Sequence, residues 1–282
     1  MARTVMHSKL KVKDHLVTGE YFELLYNTER EMLVTSPQPK LTELEKYYNS
    51  DAYISHTDED KGLVSFLYQT VKKYALKKKL KLIQNLNGGN GTLLDIGAGT
   101  GDFLKVAKNS NWEIDGIEPN KNARRLANEK GIDLLSTFDS LPKKQYDIIT
   151  LWHVLEHLPD LDATLQKIEH LVRPGGSVII AVPNFNSYDA KFYKMYWAAF
   201  DVPRHLWHFS RNSMKQLFSK NIKYKKSLPM IFDSFYVSLL SEKHKSNSRF
   251  SIRAIFIGLW SNILAWRSKE YSSLIYIFRR VE

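Results

Sequence analysis

Glycines at 97, 99 and 101 follow the apolar run Thr92–Ile96 and precede a helical pattern that starts at Asp102. A buried strand, a tight turn and a helix start, in that order, present bare backbone N–H groups to a ligand, the layout of a nucleotide-cofactor loop. The spacing decides which kind. A dinucleotide loop reads G-x-G-x-x-G and would need its third glycine at 102, where this chain has Asp102. In such sites an acid about 20 residues on takes the ribose hydroxyls. Glu118 stands 21 residues after Gly97, at the end of a predicted strand over 112–118, and Pro119 and Asn120 turn the chain away. Three later side chains could act on a second substrate. His153 directly follows a predicted strand over 146–152 and is a candidate general base or substrate orienter. In the string Asp201-Val202-Pro203-Arg204-His205-Leu206-Trp207-His208-Phe209-Ser210, Arg204 could hold a phosphate or carboxylate with its planar fork. His205 could take a proton from a hydroxyl, while His208 and Phe209 could staple the segment to the core.

Positioning these residues requires an alternation of strands and helices. Predicted strands over 92–96, 112–118, 133–136, 146–152 and 177–182 are separated by helical patterns over 101–109, 123–130 and 161–171. That alternation implies a parallel sheet covered by helices on both faces. Residues 1 to about 45 are polar, irregular and punctuated by proline. A helix over 41–49, a loop holding Tyr53 and His56, and a lysine-rich helix over 61–84 follow, and 85–91 is a breaker cluster. Beyond Val182 comes an aromatic insertion to about 208, a helix over 213–218, a strand over 232–240, a polar stretch over 241–250 and a last strand over 272–279.

The chain has 282 residues, no cysteine and a net charge of +11. Disulfides and thiolate metal sites are therefore excluded. No apolar signal segment follows the basic N-terminus, so a cytoplasmic protein is expected. The charge suits an anionic partner: nucleic acid, a lipid surface or a charged substrate. Much of it lies in Lys72, Lys73, Lys77, Lys78, Lys79 and Lys81, which read as a solvated helix face or as a lipid or phosphate contact. Residues 252–266 are strongly apolar, carry Trp260 and Trp266 and are flanked by Arg253 and Arg267. The stretch is shorter than the ~20 residues of a membrane span. It reads as a core helix or as a helix lying in a membrane interface, giving the protein a peripheral contact with an anionic membrane.

The glycine loop resembles the first motif of class I S-adenosylmethionine (AdoMet) methyltransferases. Asp147-Ile148-Ile149-Thr150-Leu151-Trp152-His153-Val154-Leu155-Glu156-His157-Leu158 resembles the fourth-strand motif of the ubiquinone-biosynthesis type, and Leu171-Val172-Arg173-Pro174-Gly175-Gly176 resembles its turn before the fifth strand. The likeness covers about residues 90–185. It implies an α/β, Rossmann-like, seven-stranded and mostly parallel sheet with helices on both faces, plus a small irregular N-terminal extension. It also implies AdoMet as cofactor, bound by Asp95, Gly97, Ala98, Gly99, Gly101, Glu118, Pro119, Trp152 and His153. The family's adenine-binding Asp is replaced, so Thr137 and Phe138 would meet the adenine through backbone and ring. Tyr53 and His56 match lid residues of related enzymes. A Glu commonly stands where this chain has His153, so His153, Glu156 and His157 could form a metal cluster; no metal is assigned. The string over 26–39 is similar to the end of a zinc ribbon, with Asn27 and Arg30 in place of thiolates. The implied organisation is a degenerate ribbon-like extension over 1–45, a helical cap over 46–90 and a methyltransferase domain over 91–282, whose insertion at about 185–210 faces substrate. The implied reaction is O-methylation of a small, lipid-like or anionic acceptor, with His153, His205 and Arg204 as catalytic candidates. The alternatives are a nucleic-acid methyltransferase, disfavoured because an N-P-P-Y type motif is missing after the fourth strand, or a non-catalytic AdoMet-binding or membrane-associated accessory protein.

Overall fold

Leu10 and Val12 alternate with Lys9, Lys11 and Lys13, and Phe22 and Leu24 alternate with Tyr21 and Glu23. A period of two builds half-buried strands. The structure, a computed structural model, describes residues 6–48, 63–246 and 251–282; Tyr53 and His56 lie outside them. Residues 6–36 are not irregular, as their polar composition suggested. They form an antiparallel meander of β1 (Met6–Lys13), β2 (Tyr21–Asn27) and β3 (Met32–Ser36). Its turns are closed by side chains. Asp14 accepts from the N–H groups of Leu16, Val17 and Thr18, and Asn27 accepts from those of Glu29 and Arg30. A hydrogen-bonded turn thus stands where a ribbon would carry thiolates.

The helices α1 (Leu41–Tyr48) and α2 (Leu63–Asn87) lead into the alternating region. There β4 (Thr92–Ile96), α3 (Asp102–Lys108), β5 (Glu113–Ile117), α4 (Lys121–Asn128), β6 (Tyr146–Trp152), α5 (Leu161–Leu171) and β7 (Val172–Pro183) follow in turn. The insertion supplies α6 (Tyr188–Tyr193), β8 (Trp207–His208) and α7 (Arg211–Lys215). The chain continues with β9 (Ile222–Pro229), α8 (Asp233–Ser246), α9 (Ile252–Ser268) and β10 (Ser273–Arg280). The large sheet runs β5-β4-β6-β7-β10-β9. Its first four strands are parallel, and β10 is antiparallel to both neighbours. The expected strand over 133–136 contributes a single parallel bridge, Ile117 to Leu135, so the seventh position is vestigial. Successive residues of a strand face opposite sides. Leu93, Ile148 and Ile179 pack under α2, α3 and α4, whereas Leu94, Ile149 and Val178 pack under α5 and α7. Both faces are covered, as the continuous apolar runs require.

Two differences bear on the site. Residues 233–246 are helical, not a strand. Their aromatic and β-branched content suggested a strand, but the buried face is set by Ser234, Val237, Ser238 and Ser241, which recur at helical spacing. The insertion is also tied to the N-terminal sheet: β8 pairs with β3, with Leu33 opposite His208 and Val34 opposite Trp207. Among the described residues no helix is long and apolar enough to cross a membrane.

Candidate active site

The loop after β4 is shaped by left-handed backbone. Gly97, Gly99 and Gly101 have φ of 72°, 55° and 72°. A Cβ on Gly97 would lie 2.3 Å from the Val154 side chain, so that glycine also lets the loop lie against the chain leaving β6. At Gly99 a Cβ would meet nothing within 4 Å, so this side of the loop is open to a ligand. Gly97 and Ala98 donate their N–H groups to the Ile117 carbonyl at 2.8 and 3.0 Å. One residue on, Glu118 accepts from Gly99 N–H at 2.9 Å with Oε2 and from Asn120 N–H at 2.8 Å with Oε1. Asn120 caps α4 through Ala123 N–H, and Arg124 donates to the carbonyls of Glu118 and Pro119 at 2.7 Å. The acid and the loop therefore fix each other. An open glycine edge beside a carboxylate fits a ribose-bearing cofactor.

Asp95 lies beneath the loop, buried, and accepts from Thr150 Oγ1 at 2.6 Å. Burial, reinforced by the charge of Glu118, pushes its carboxyl up to about 7 against the opposing Thr150 hydroxyl and Lys79. Thr137 bonds to Ser140 within a 3-10 turn, and the half-buried Phe138 ring lies under Lys167 of α5 at 5.3 Å.

Trp152 ends β6 and His153 follows it. Trp152 meets Phe103 edge-on at 5.7 Å, and Lys79 of α2 places Nζ 4.2 Å over the Trp152 ring. Burial lowers the Lys79 ammonium to about 8, with Asp95 and Asp233 acting the other way. His153 has a φ of 57°, a conformation that costs a non-glycine residue roughly 1–2 kcal/mol. It is held there by its N–H to the Ala181 carbonyl at 2.9 Å. Its Nδ1 lies 3.4 Å from Glu156 and its Nε2 lies 3.2 Å from Asp233 at the start of α8. Burial alone would lower its pKa, but Asp233 and Glu156 outweigh this and raise it to about 10. His153 is thus an imidazolium at neutral pH, with both nitrogens facing carboxylates. In this state it can donate and orient; it has no free lone pair with which to act as a base.

The second candidate cluster is largely buried, its His205 reaching Glu156 beside His153. Arg204 is 1% exposed. Its guanidinium donates to Asp201, to Asp14 at 2.9 Å and to the Tyr47 carbonyl at 2.9 Å. The fork expected to grip a substrate is filled by the protein and clamps the insertion to the β1–β2 turn and the end of α1. His205 is buried, with Nδ1 2.9 Å from the Ala199 carbonyl. His157 has Nδ1 3.1 Å from the Arg204 carbonyl, and burial and His205 lower it to about 4. The candidate ligand atoms of Glu156, His157 and His205 lie within 4.8 Å of one another. The cluster thus includes His205 rather than His153. Burial would raise the Glu156 carboxyl, yet the neighbouring His153 holds it low.

The sequence model of a methyltransferase domain matches residues 68–221. The chain belongs to the methyltransferase-domain family. The fold agrees: the plantazolicin methyltransferase BpumL, solved in complex with SAH, superposes with a TM-score of 0.52 at 14% identity, covering 84% of this chain and 93% of that one. Two similar relatives are ubiquinone biosynthesis O-methyltransferases. That of Aeromonas salmonicida is 34% identical over 120 residues, 38% of this chain and 50% of the relative. That of Serratia proteamaculans is 29% identical over 121 residues, 39% and 50%. The chain spans about half the length of the relatives it matches. The sheet is that of class I methyltransferases, whose cofactor is AdoMet.

Sequence reasoning missed Lys79 and Asp233. Lys79 was grouped with five other lysines as one helix face. However, Lys72 and Lys79 are seven residues apart and so share a face. Both point inward: Lys72 pairs with Asp102 at 2.7 Å, whereas Lys73, Lys77, Lys78 and Lys81 are exposed. That spacing was available as a signal. Nothing local marks Asp233, which depends on how α8 returns to β6.

Proposed function

We propose that the protein transfers a methyl group from AdoMet to a hydroxyl of a small, lipid-like or anionic acceptor. The observation that carries this reading is Glu118, whose carboxylate holds Gly99 at the open edge of the loop while the loop touches Val154, next to His153. In the reaction the methyl carbon leaves the sulfonium for the acceptor oxygen, the sulfur becomes a neutral thioether, and the hydroxyl proton departs. The donor is already activated, so alignment and water exclusion supply most of the rate. His153, as an imidazolium between Glu156 and Asp233, would fix the Asp233 carboxylate beside the acceptor oxygen. Asp233, 3.2 Å from Nε2, is the carboxylate placed to take the proton. Glu118 and the loop would hold ribose and backbone of the donor, with Asp95 beneath and Trp152 as a wall. The O-methyltransferase relatives support the hydroxyl as acceptor group. Two of the six clustered lysines that carry much of the basic charge are turned inward.

The test uses AdoMet labelled in the methyl group, with a cell extract split into lipid, small-molecule and RNA fractions. Transfer into the lipid or small-molecule fraction is expected, with turnover lost in His153→Ala and AdoMet affinity kept. Label confined to RNA, or unchanged turnover in that variant, would overturn the reading.

A further inference from the structure

Helix α9 is built inside out. Ala254, Gly258, Ser261 and Ala265 form its buried stripe, while Ile252, Phe256, Leu259, Trp260, Ile263 and Trp266 are between 47% and 76% exposed. The inner stripe is fixed by close contact and by hydrogen bonds. A Cβ on Gly258 would lie 2.9 Å from Phe235 Cα of α8. Ser234 donates to the Gly258 carbonyl at 3.0 Å, and Ser261 donates to Asp189 at 2.7 Å. The helix therefore cannot roll its large side chains inward without breaking these bonds and driving bulk into a seam made for small residues. The apolar surface continues through Ile231, Phe232 and Tyr236 around the start of α8, and Phe232 meets Tyr74 of α2 edge-on at 6.1 Å. Contiguous exposed apolar surface on this scale marks an interaction site.

The charges around this face identify the partner. Helices α8 and α9 contain two acids, Asp233 and Glu242. Asp233 is held by His153, and Glu242 lies 3.7 Å from Arg253. Lys243, Lys245, Arg253, Arg267 and Lys269 are exposed around the patch, and Lys78 sits 4.6 Å over the Tyr74 ring. Two copies of such a face would bring like charges together. A surface of negative headgroups over hydrocarbon satisfies both the rim and the centre. At 1.5 Å per residue the 17 residues of α9 reach about 25 Å, short of a hydrocarbon core of about 30 Å. A helix with paired tryptophans and basic flanks lies in the interface plane.

We infer that the α8–α9 face docks on an anionic lipid bilayer. Phe232 of that face directly precedes Asp233, the partner of His153. If the methyl-transfer reading above is taken with this, the acceptor is an amphiphile drawn from the membrane.

The docking is tested with the whole chain and vesicles of phosphatidylcholine, with or without about one third phosphatidylglycerol, by co-sedimentation without cofactor or turnover. Binding to the anionic vesicles, weakened by salt, is expected. The double variant Phe256→Ser/Trp260→Ser should bind at least about tenfold more weakly, since each buried side chain of this size is worth more than a decade in affinity. Both positions are exposed, so its melting temperature should stay close to wild type. Tryptophan emission should shift to the blue on binding, and the shift should shrink in Trp260→Phe/Trp266→Phe. Failure to bind, undiminished binding by the serine variant, or a wild-type dimer that this variant dissociates and that ignores vesicles would each overturn the inference. Vesicle binding with no label in the lipid fraction would leave the docking standing and overturn the membrane acceptor.

Discussion

The proposed donor side and the proposed acceptor side of the site are assembled by different rules. From Asp95 to Asn120 the donor side is local: a strand end, three left-handed glycines and the acid at the next strand end, tied by Gly99 to Glu118. The acceptor side joins His153 after β6 and Asp233 of α8, two positions that meet only through the tertiary fold. Local backbone geometry can be encoded in spacing. Distant pairing cannot, and side chains that look reactive in a string can be consumed by such pairing. Arg204 is the clearest case: its partners Asp14 and Tyr47 are 190 and 157 residues away.

The largest effect that would test this contrast is on Asp14. Asp14→Asn takes one of two carboxylates from a buried guanidinium that stays paired with Asp201, and should cost about 1–3 kcal/mol in urea unfolding. Were Arg204 a substrate group instead, stability would hold and the KM for the acceptor would rise. A smaller effect belongs to His153. Its folded pKa is raised from the ordinary 6.5 to about 10, so the folded protein binds that proton more tightly than the unfolded chain. The stabilisation is fully present below about pH 6.5 and is lost as pH rises through about 10. Relative to His153→Gln, the wild type should therefore gain about 1 kcal/mol at pH 6, discounted because its side chain is 35% exposed. The gain should vanish near pH 10. A gain that grows with pH would break the ion-pair assignment.

What was legible follows the same division. The parallel sheet could be read because Leu93, Leu94, Ile148 and Ile149 are apolar on both faces, which only a doubly covered strand tolerates. Glu118 could be read because strand and loop lengths fix its distance from Gly97. The N-terminal meander was available in the alternation of Lys9 to Lys13, yet the polar composition hid it. Helix α9 is hard to read because its inner face is serine, alanine and glycine, so the large apolar residues that normally mark the buried stripe mark the outer one. Of the two readings of 252–266, the core helix is set aside: its large apolar face is exposed. The ion pair from His153 to Asp233 lay beyond any spacing argument.

The central claim, that the loop and Glu118 form the donor site, is tested most directly by calorimetric titration of AdoMet into the wild type and Glu118→Ala. Loss of a carboxylate accepting from ribose hydroxyls should weaken binding about 10–100-fold, the equivalent of one or two charge-assisted hydrogen bonds. No binding to the wild type, or equal affinity in both proteins, would contradict the account.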